Sequence, residues 1–323
     1  MPLEPLLANL EQNISNNITV ERLAEAGLLK IVGFHLTGTP GCDKMLKIAC
    51  GRMILVFRLF TPGLFGLAIP YPKLLKHERY CFVAPHPDDI ELGAGGTAAR
   101  LKAMGKHVTY IIATDGRYGG ETPDILPADL VKIREGETRA AAAHLGVDEV
   151  VMLGFCESGW YDQNDLKKAI ALAVAKAQPD IIFTVDHLVD SELHPDHRRV
   201  GLAVSDAFLH INNYHYMKEL GGVAPEKKIA GIAYWFTNRP NRYVRVPLKN
   251  FRQQAEALAL HKSQMFAYGK KTLADMFKIL IFVRHLRYGV RRCWLQAEAF
   301  RVLAIHQAHC GPEFSEKSVF GQY

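Results

Sequence analysis

Two short segments place imidazole and carboxylate groups where they could do chemistry together. One reads His86-Pro87-Asp88-Asp89, the other His194-Pro195-Asp196-His197. The proline behind each leading histidine biases that histidine toward extended backbone and away from helix, so each segment belongs to a defined loop. A catalytic zinc centre takes about three protein ligands from His, Asp, Glu or Cys and keeps one position for water. His86, Asp89 and His197 supply two imidazoles and one carboxylate. Asp88 is left beside such a centre, where it could take the proton of a bound water. His194, one helical turn from His197, could face the same pocket, and as an imidazolium it would stabilise an oxyanion or protonate a leaving amine. That division of labour is metal-assisted amide hydrolysis. Two histidines and a carboxylate also make the facial triad of non-haem Fe(II) enzymes, and the proton-transfer groups around this one favour zinc. Alone, each segment reads equally well as a turn whose Asp caps a helix. It is their pairing at two strand ends that argues for a site.

The elements that must position these loops can be read from the apolar pattern. Tyr80 to Ala84, His107 to Thr114, Glu149 to Leu153, Asp180 to Val185 and Ile229 to Phe236 are strand-like runs. Helical spacing fills Gly93 to Met104, residues 127 to 145, Asp165 to Ala177 and His197 to Ile211, with Gly105, Gly146 and Pro179 as stops. Alternation of this kind gives β-α-β units and a parallel sheet. Ligands bind such sheets at the carboxyl ends of the strands, which is where the first loop follows directly and the second shortly after. The expected fold is α/β, a Rossmann-like three-layer sandwich with a mostly parallel sheet. The expected division is a helical, partly apolar N-terminal extension (1–76), a core (77–250) and a C-terminal helical extension (251–323).

The APHPDDIELGAGGTAARL segment and HPDH resemble the signature of the PIG-L (LmbE-like) deacetylases, over roughly residues 79 to 265 and ending at His261-Lys262-Ser263-Gln264. The resemblance implies a Rossmann-like fold and removal of acetyl groups from N-acetylglucosaminyl substrates. It implies zinc on His86, Asp89 and His197, Asp88 as general base and His194 as an aid to the transition state. Arg134 and Glu137 are similar to an R-x-x-E segment whose arginine contacts substrate hydroxyl or phosphate groups, a task that suits five fixed donors. The competing reading is a solvated helical pair. The sequence departs from the family pattern at Arg117, which follows Thr114-Asp115-Gly116, and at Glu192, two residues before His194. Rival activities are an amidase of sugar–thiol conjugates and a non-catalytic, membrane-peripheral glycan-binding protein.

Gly93, Gly95 and Gly96 do not make a dinucleotide site, because the seven-residue run HPDDIEL intervenes after the strand. They are expected to let the helix pack closely. Trp160-Tyr161 could stack on a sugar, although packing at the loop base is the commoner outcome. His107, His144, His210, His215 and His285 have no partner at ligand spacing. With 49% apolar and 22% charged residues the chain has an ordinary globular composition. The net charge of +6 carries no dense Lys/Arg run, which excludes nucleic acid as an expected partner. The six cysteines contain no C-x-x-C pair and read as reduced thiols. The start lacks a secretory pattern, so a cytoplasmic location is expected. Met53–Pro70 and the basic, apolar stretch Leu273–Trp294 leave peripheral membrane contact and a lipid-linked sugar open, with core packing the preferred reading for the second.

Overall fold

A strand with no polar face must be covered on both sides, and Arg79–Ala84 (β1) is buried from its second residue on. The computed structural model describes residues 69–119, 124–265, 267–268 and 271–309. His107–Thr114 (β2), Glu149–Phe155 (β3), Ile181–Val185 (β4) and Gly231–Trp235 (β5) join β1 in parallel register, in the order β3-β2-β1-β4-β5. Phe82 pairs with Phe183 across β1 and β4, and their rings stack at 4.5 Å. Stacked aromatics of this kind add about 1 kcal/mol beyond their burial.

The helices cover both faces. Asp89–Ala103 (α1) and Pro127–Leu145 (α2) lie on one side, and Gln163–Ala177 (α3) and Pro195–His210 (α4) on the other. Tyr214–Glu219 (α5) follows α4. Leu248–Leu258 (α6) packs on α1 and α2. The stops fall where the sequence put them for α2, whose Gly146 adopts φ 77° and donates to Ala142 O and Ala143 O. For α3, Gln178 turns the chain at φ 51° just ahead of Pro179. The first helix starts at Asp89 and not at Gly93. Asp88 takes left-handed backbone (φ 106°), and the Asp89 and Glu91 carboxylates sit in the first turn, where the helix dipole favours them.

The sheet is larger than expected. Arg242–Arg245 (β6) and Ala297–Leu303 (β9) extend it to seven strands, with β9 antiparallel between β5 and β6. The segment expected as a helical C-terminal extension therefore contributes a buried strand to the core, and residues 71–311 form one compact unit. A two-stranded ribbon, Ala267–Tyr268 (β7) with Lys271–Thr272 (β8), leads into Leu273–Val290 (α7), and Ile305–Ala308 (α8) follows β9. Helix α7 lies against β9, with Ile281 and His285 buried and Ile279 and Val283 exposed. No helix of the described residues is long and apolar enough to cross a membrane. The expected extension over 1–76 and the Met53–Pro70 stretch fall almost wholly outside the described residues.

Gly93, Gly95 and Gly96 face the neighbours of α1. A Cβ on Gly95 would lie 2.9 Å from Gln254 Cγ, and one on Gly96 would lie 2.8 Å from Val246 Cγ1. Close packing under the β1 loop, and not a phosphate cradle, is what these glycines permit.

Candidate active site

In the strand order the chain reverses direction between β1 and β4, and a crevice forms at their carboxyl ends. Both histidine-carboxylate loops reach it. The β1 loop folds on itself: Asp89 Oδ2 accepts the His86 backbone N–H at 2.9 Å and lies 3.2 Å from His86 Nδ1. From the other loop, His197 Nε2 comes to 3.4 Å from the same oxygen. His86, Asp89 and His197 thus offer two nitrogens and one oxygen within 4.8 Å of one another. Ligands 2.0–2.1 Å from a tetrahedral ion stand roughly 3.3 Å apart, so the 3.2 and 3.4 Å separations suit such an ion.

The far nitrogen of each histidine is held by a carboxylate. His86 Nε2 faces Asp196 Oδ2 at 3.1 Å, and His197 Nδ1 faces Glu192 Oε2 at 2.9 Å. Ligating histidines are commonly oriented in this way. Asp196 has no exposed surface and also accepts from Ser158 N, Gly159 N and the Tyr161 hydroxyl, at 2.7–2.8 Å. Glu192 Oε1 accepts the His194 N–H at 2.9 Å. A second donor set, His86, Glu157 and His194, shares His86. It uses the Nε2 already facing Asp196, with Glu157 Oε1 at 3.7 Å, and Glu157 Oε2 accepts Tyr118 N.

Charge follows this geometry. Burial opposes a proton on His86, but the hydrogen bonds to Asp196 and Asp89 outweigh it and push its pKa up to about 10. Burial opposes charge on His197 as well, and the Asp89 carboxylate brings it up to about 9. Asp89 is held well below the usual carboxylate range by the two imidazoles, against its burial. Asp88, its side chain 22% exposed, is pushed up to about 6 by desolvation. The Arg134 cation opposes that rise and the Asp89 charge adds to it.

His194 is the N-cap of α4, and its Nδ1 accepts the Asp196 backbone N–H at 3.2 Å. Its ring packs edge-on against His86 at 4.5 Å. Burial and then the charges of His86 and His197 lower its pKa. With Nδ1 accepting, the ring carries its hydrogen on Nε2, a tautomer assigned from the Nδ1 contact.

Arg134, expected to meet substrate, is 2% exposed, and its contacts in this structure are to the chain around the crevice. NH1 donates to Gly116 O at 2.9 Å, NH2 donates to Pro87 O at 2.7 Å, and NH2 is 3.5 Å from Asp88 Oδ2. It braces the loop that carries Asp88. Glu137 joins α2 to the tail through Ser263 N and Oγ, at 2.7 and 2.6 Å. Arg117 pairs with buried Asp115, which balances its charge beside the crevice. Tyr161 packs at the loop base, whereas Trp160 is 75% exposed.

Residues 81–208 match the family model described as PIG-L, GlcNAc-PI de-N-acetylase. Residues 81–208 are a PIG-L domain. The chain is 29% identical over 184 residues to diacetylchitobiose deacetylase of Thermococcus kodakarensis, covering 56% of this chain and 68% of that protein. It is 25% identical over 240 residues to a probable N-acetyl-alpha-D-glucosaminyl L-malate deacetylase 2 of Bacillus anthracis, covering 70% and 96%. The solved structure of N,N'-diacetylchitobiose deacetylase from Pyrococcus horikoshii superposes with a TM-score of 0.66 at 26% identity, covering 86% of this chain and 98% of that one.

Within this PIG-L domain the sequence reading overlooked three acids. Asp196 and Glu192 orient the histidines, and Glu157 lines the same pocket. A signal for the first was available: an Asp directly before a candidate ligand, in a loop where each imidazole needs a partner for its second nitrogen. Glu192 stood out only as a departure from the family pattern, and the structure gives it His197 to hold.

Proposed function

We propose that this chain is a metal-dependent hydrolase that removes the acetyl group from an N-acetylated amino sugar, releasing acetate and a free amine. The observation that carries the reading is the convergence of His86, Asp89 and His197 at the β1–β4 crevice, with Asp88 next to Asp89. The named activities of the relatives, deacetylation of diacetylchitobiose and of an N-acetylglucosaminyl malate, support the substrate class.

His86 through Nδ1, Asp89, and His197 through Nε2 would hold the ion, with zinc the first candidate and Fe(II) the second. A bound ion of this kind lowers the pKa of water and polarises an amide carbonyl. The chain's own residues do the rest. Asp88 takes the proton of the attacking water, and Arg134 fixes the loop that aims its carboxylate. His194, 38% exposed in its side chain and with Nδ1 occupied, presents Nε2–H to the oxyanion as the carbonyl carbon becomes tetrahedral. Asp88 then delivers that proton to the departing nitrogen, while His194 keeps its Nε2 hydrogen. Asp196 and Glu192 keep the two ligating rings in one tautomer and one orientation.

The test is acetate and amine release from a panel of N-acetylglucosaminides by protein of defined metal content. Both products should form in equal amounts, stop on chelation and return with zinc. Stoichiometrically metal-loaded protein that releases acetate from no member of the panel would overturn the reading.

A further inference from the structure

Beside His197 the crevice opens into a cavity of about 380 Å³, walled on the far side by α7. Two carboxylates line it, and both are already engaged. Glu192 holds His197 and the His194 N–H. Glu298 accepts from Gly96 N, Thr97 N and Gln254 Nε2, and lies 3.3 Å from His285 Nε2.

Arg284 on the same wall is different. Its hydrogen bond among the described residues is from NH1 to Leu92 O, at 3.3 Å. No Asp or Glu of the described residues forms an ion pair with it. A guanidinium has five donors in a planar fork, and burial disfavours the charge of this one, on which the Glu298 carboxylate, engaged elsewhere, acts only at longer range than an ion pair. The nearest support is an aromatic face, with Arg284 Cζ 5.0 Å from the Phe236 ring centroid. That ring lies nearly parallel to His197, at 6.4 Å and 13°. Phe236 therefore links the guanidinium to a ligand of the candidate metal centre. It does so from φ 54°, directly after β5. A bulky side chain adopts that backbone only at a cost of about 1–3 kcal/mol, and such strain gathers at functional sites. His285 adds a buried Nδ1 without a partner on the same wall.

A cavity of this size accommodates the group attached to a sugar whose acetamide sits at the crevice. We infer that Arg284, seated on Phe236, selects amino-sugar conjugates whose aglycone ends in an anionic group, a carboxylate or a phosphate. The planar fork matches either group in two-point contact. This rests on the deacetylase reading and adds to it a specificity-determining residue outside the 81–208 match.

The full-length, metal-loaded protein is tested with three N-acetylglucosaminides that differ at the end of the aglycone: carboxymethyl, its methyl ester, and phosphoethyl. Acetate release gives kcat/KM, and calorimetry on the corresponding free amines gives affinity. At least one anionic conjugate should exceed the ester by about tenfold or more, and which one does so identifies the ligand. Arg284→Gln should bring that ratio to within about threefold of unity, and Arg284→Lys should retain part of it. An ester that equals both acids, or an intact preference in folded Arg284→Gln protein, overturns the inference while leaving deacetylation standing. If none of the three releases acetate, deacetylation fails, and calorimetry still decides. Tighter binding of an anionic amine that is lost in Arg284→Gln upholds the role of Arg284, and equal binding of acid and ester removes it.

Discussion

Asp196→Asn removes one charge and changes little volume, so its effect can be worked from contacts. Each Asp196 oxygen serves two donors: Oδ2 takes His86 Nε2 and Ser158 N, and Oδ1 takes Gly159 N and the Tyr161 hydroxyl. An asparagine has one acceptor oxygen. Its amide nitrogen must therefore face two donors that it cannot satisfy, at a site with no solvent exposure. Each buried group left unpaired costs about 1–3 kcal/mol, and part of that is recovered where the Tyr161 hydroxyl rotates. We expect a loss of about 2–4 kcal/mol, or a Tm lower by roughly 5–15 °C for a domain of this size. The metal-free protein should melt lower by this amount. Zinc affinity, measured by competition with a chelator, should fall about 10–100-fold as His86 loses its orienting partner. A variant that melts like wild type and binds zinc as tightly would refute the assignment of Asp196 as the group that holds His86.

Three further expectations follow from the contacts. Arg134→Lys should lower kcat much more than it raises KM, because the lost contacts are to Pro87 O, Gly116 O and Asp88 and not to substrate; a dominant KM effect in steady-state kinetics would restore a substrate-binding role. Glu192→Gln should weaken zinc binding by about tenfold, near the lower end of such effects, because an amide oxygen can still accept from His197; unchanged affinity in the chelator titration would contradict it. A pH effect is expected at fully buried His261, which lies 3.5 Å from Glu91 Oε2. Burial opposes charge on His261, but the Glu91 carboxylate raises its pKa. A raised folded-state value means that the pair's stability is fully present below the ordinary histidine pKa of about 6.5 and is lost as pH rises through the raised value. Thermal melts of Glu91→Gln should accordingly lose less stability than wild type above pH 6.5, and parallel pH profiles would disprove the coupling.

Much of the fold was legible because β1, β2 and β4 are apolar runs with no polar face, and chains of that kind have few places to go other than the middle of a covered sheet. Strand β9 was not legible. Ala297–Leu303 carries Glu298 and Arg301 among its apolar residues, and its partners β5 and β6 are set by tertiary packing and not by any local signal. At the site, residue type and loop position sufficed to bring His86, Asp89 and His197 together. They did not reveal that Arg134 is turned inward, since an R-x-x-E pair on a helix looks the same whether it faces solvent or a loop. Nor could spacing show that Phe236 leaves β5 with left-handed backbone, or that a helix far along the chain supplies the cavity wall.

The central claim is that His86, Asp89 and His197 hold the ion while Asp88 moves the proton. Asp88→Asn is the direct test. Asparagine tolerates left-handed backbone as aspartate does, whereas alanine at φ 106° would add strain of its own. Metal stoichiometry and acetate release from an N-acetylglucosaminide are measured on the same preparation. The account predicts one tightly bound ion per chain, as in wild type, with turnover lower by about 10²–10⁴-fold. Near-normal turnover, or loss of the ion together with activity, would contradict it.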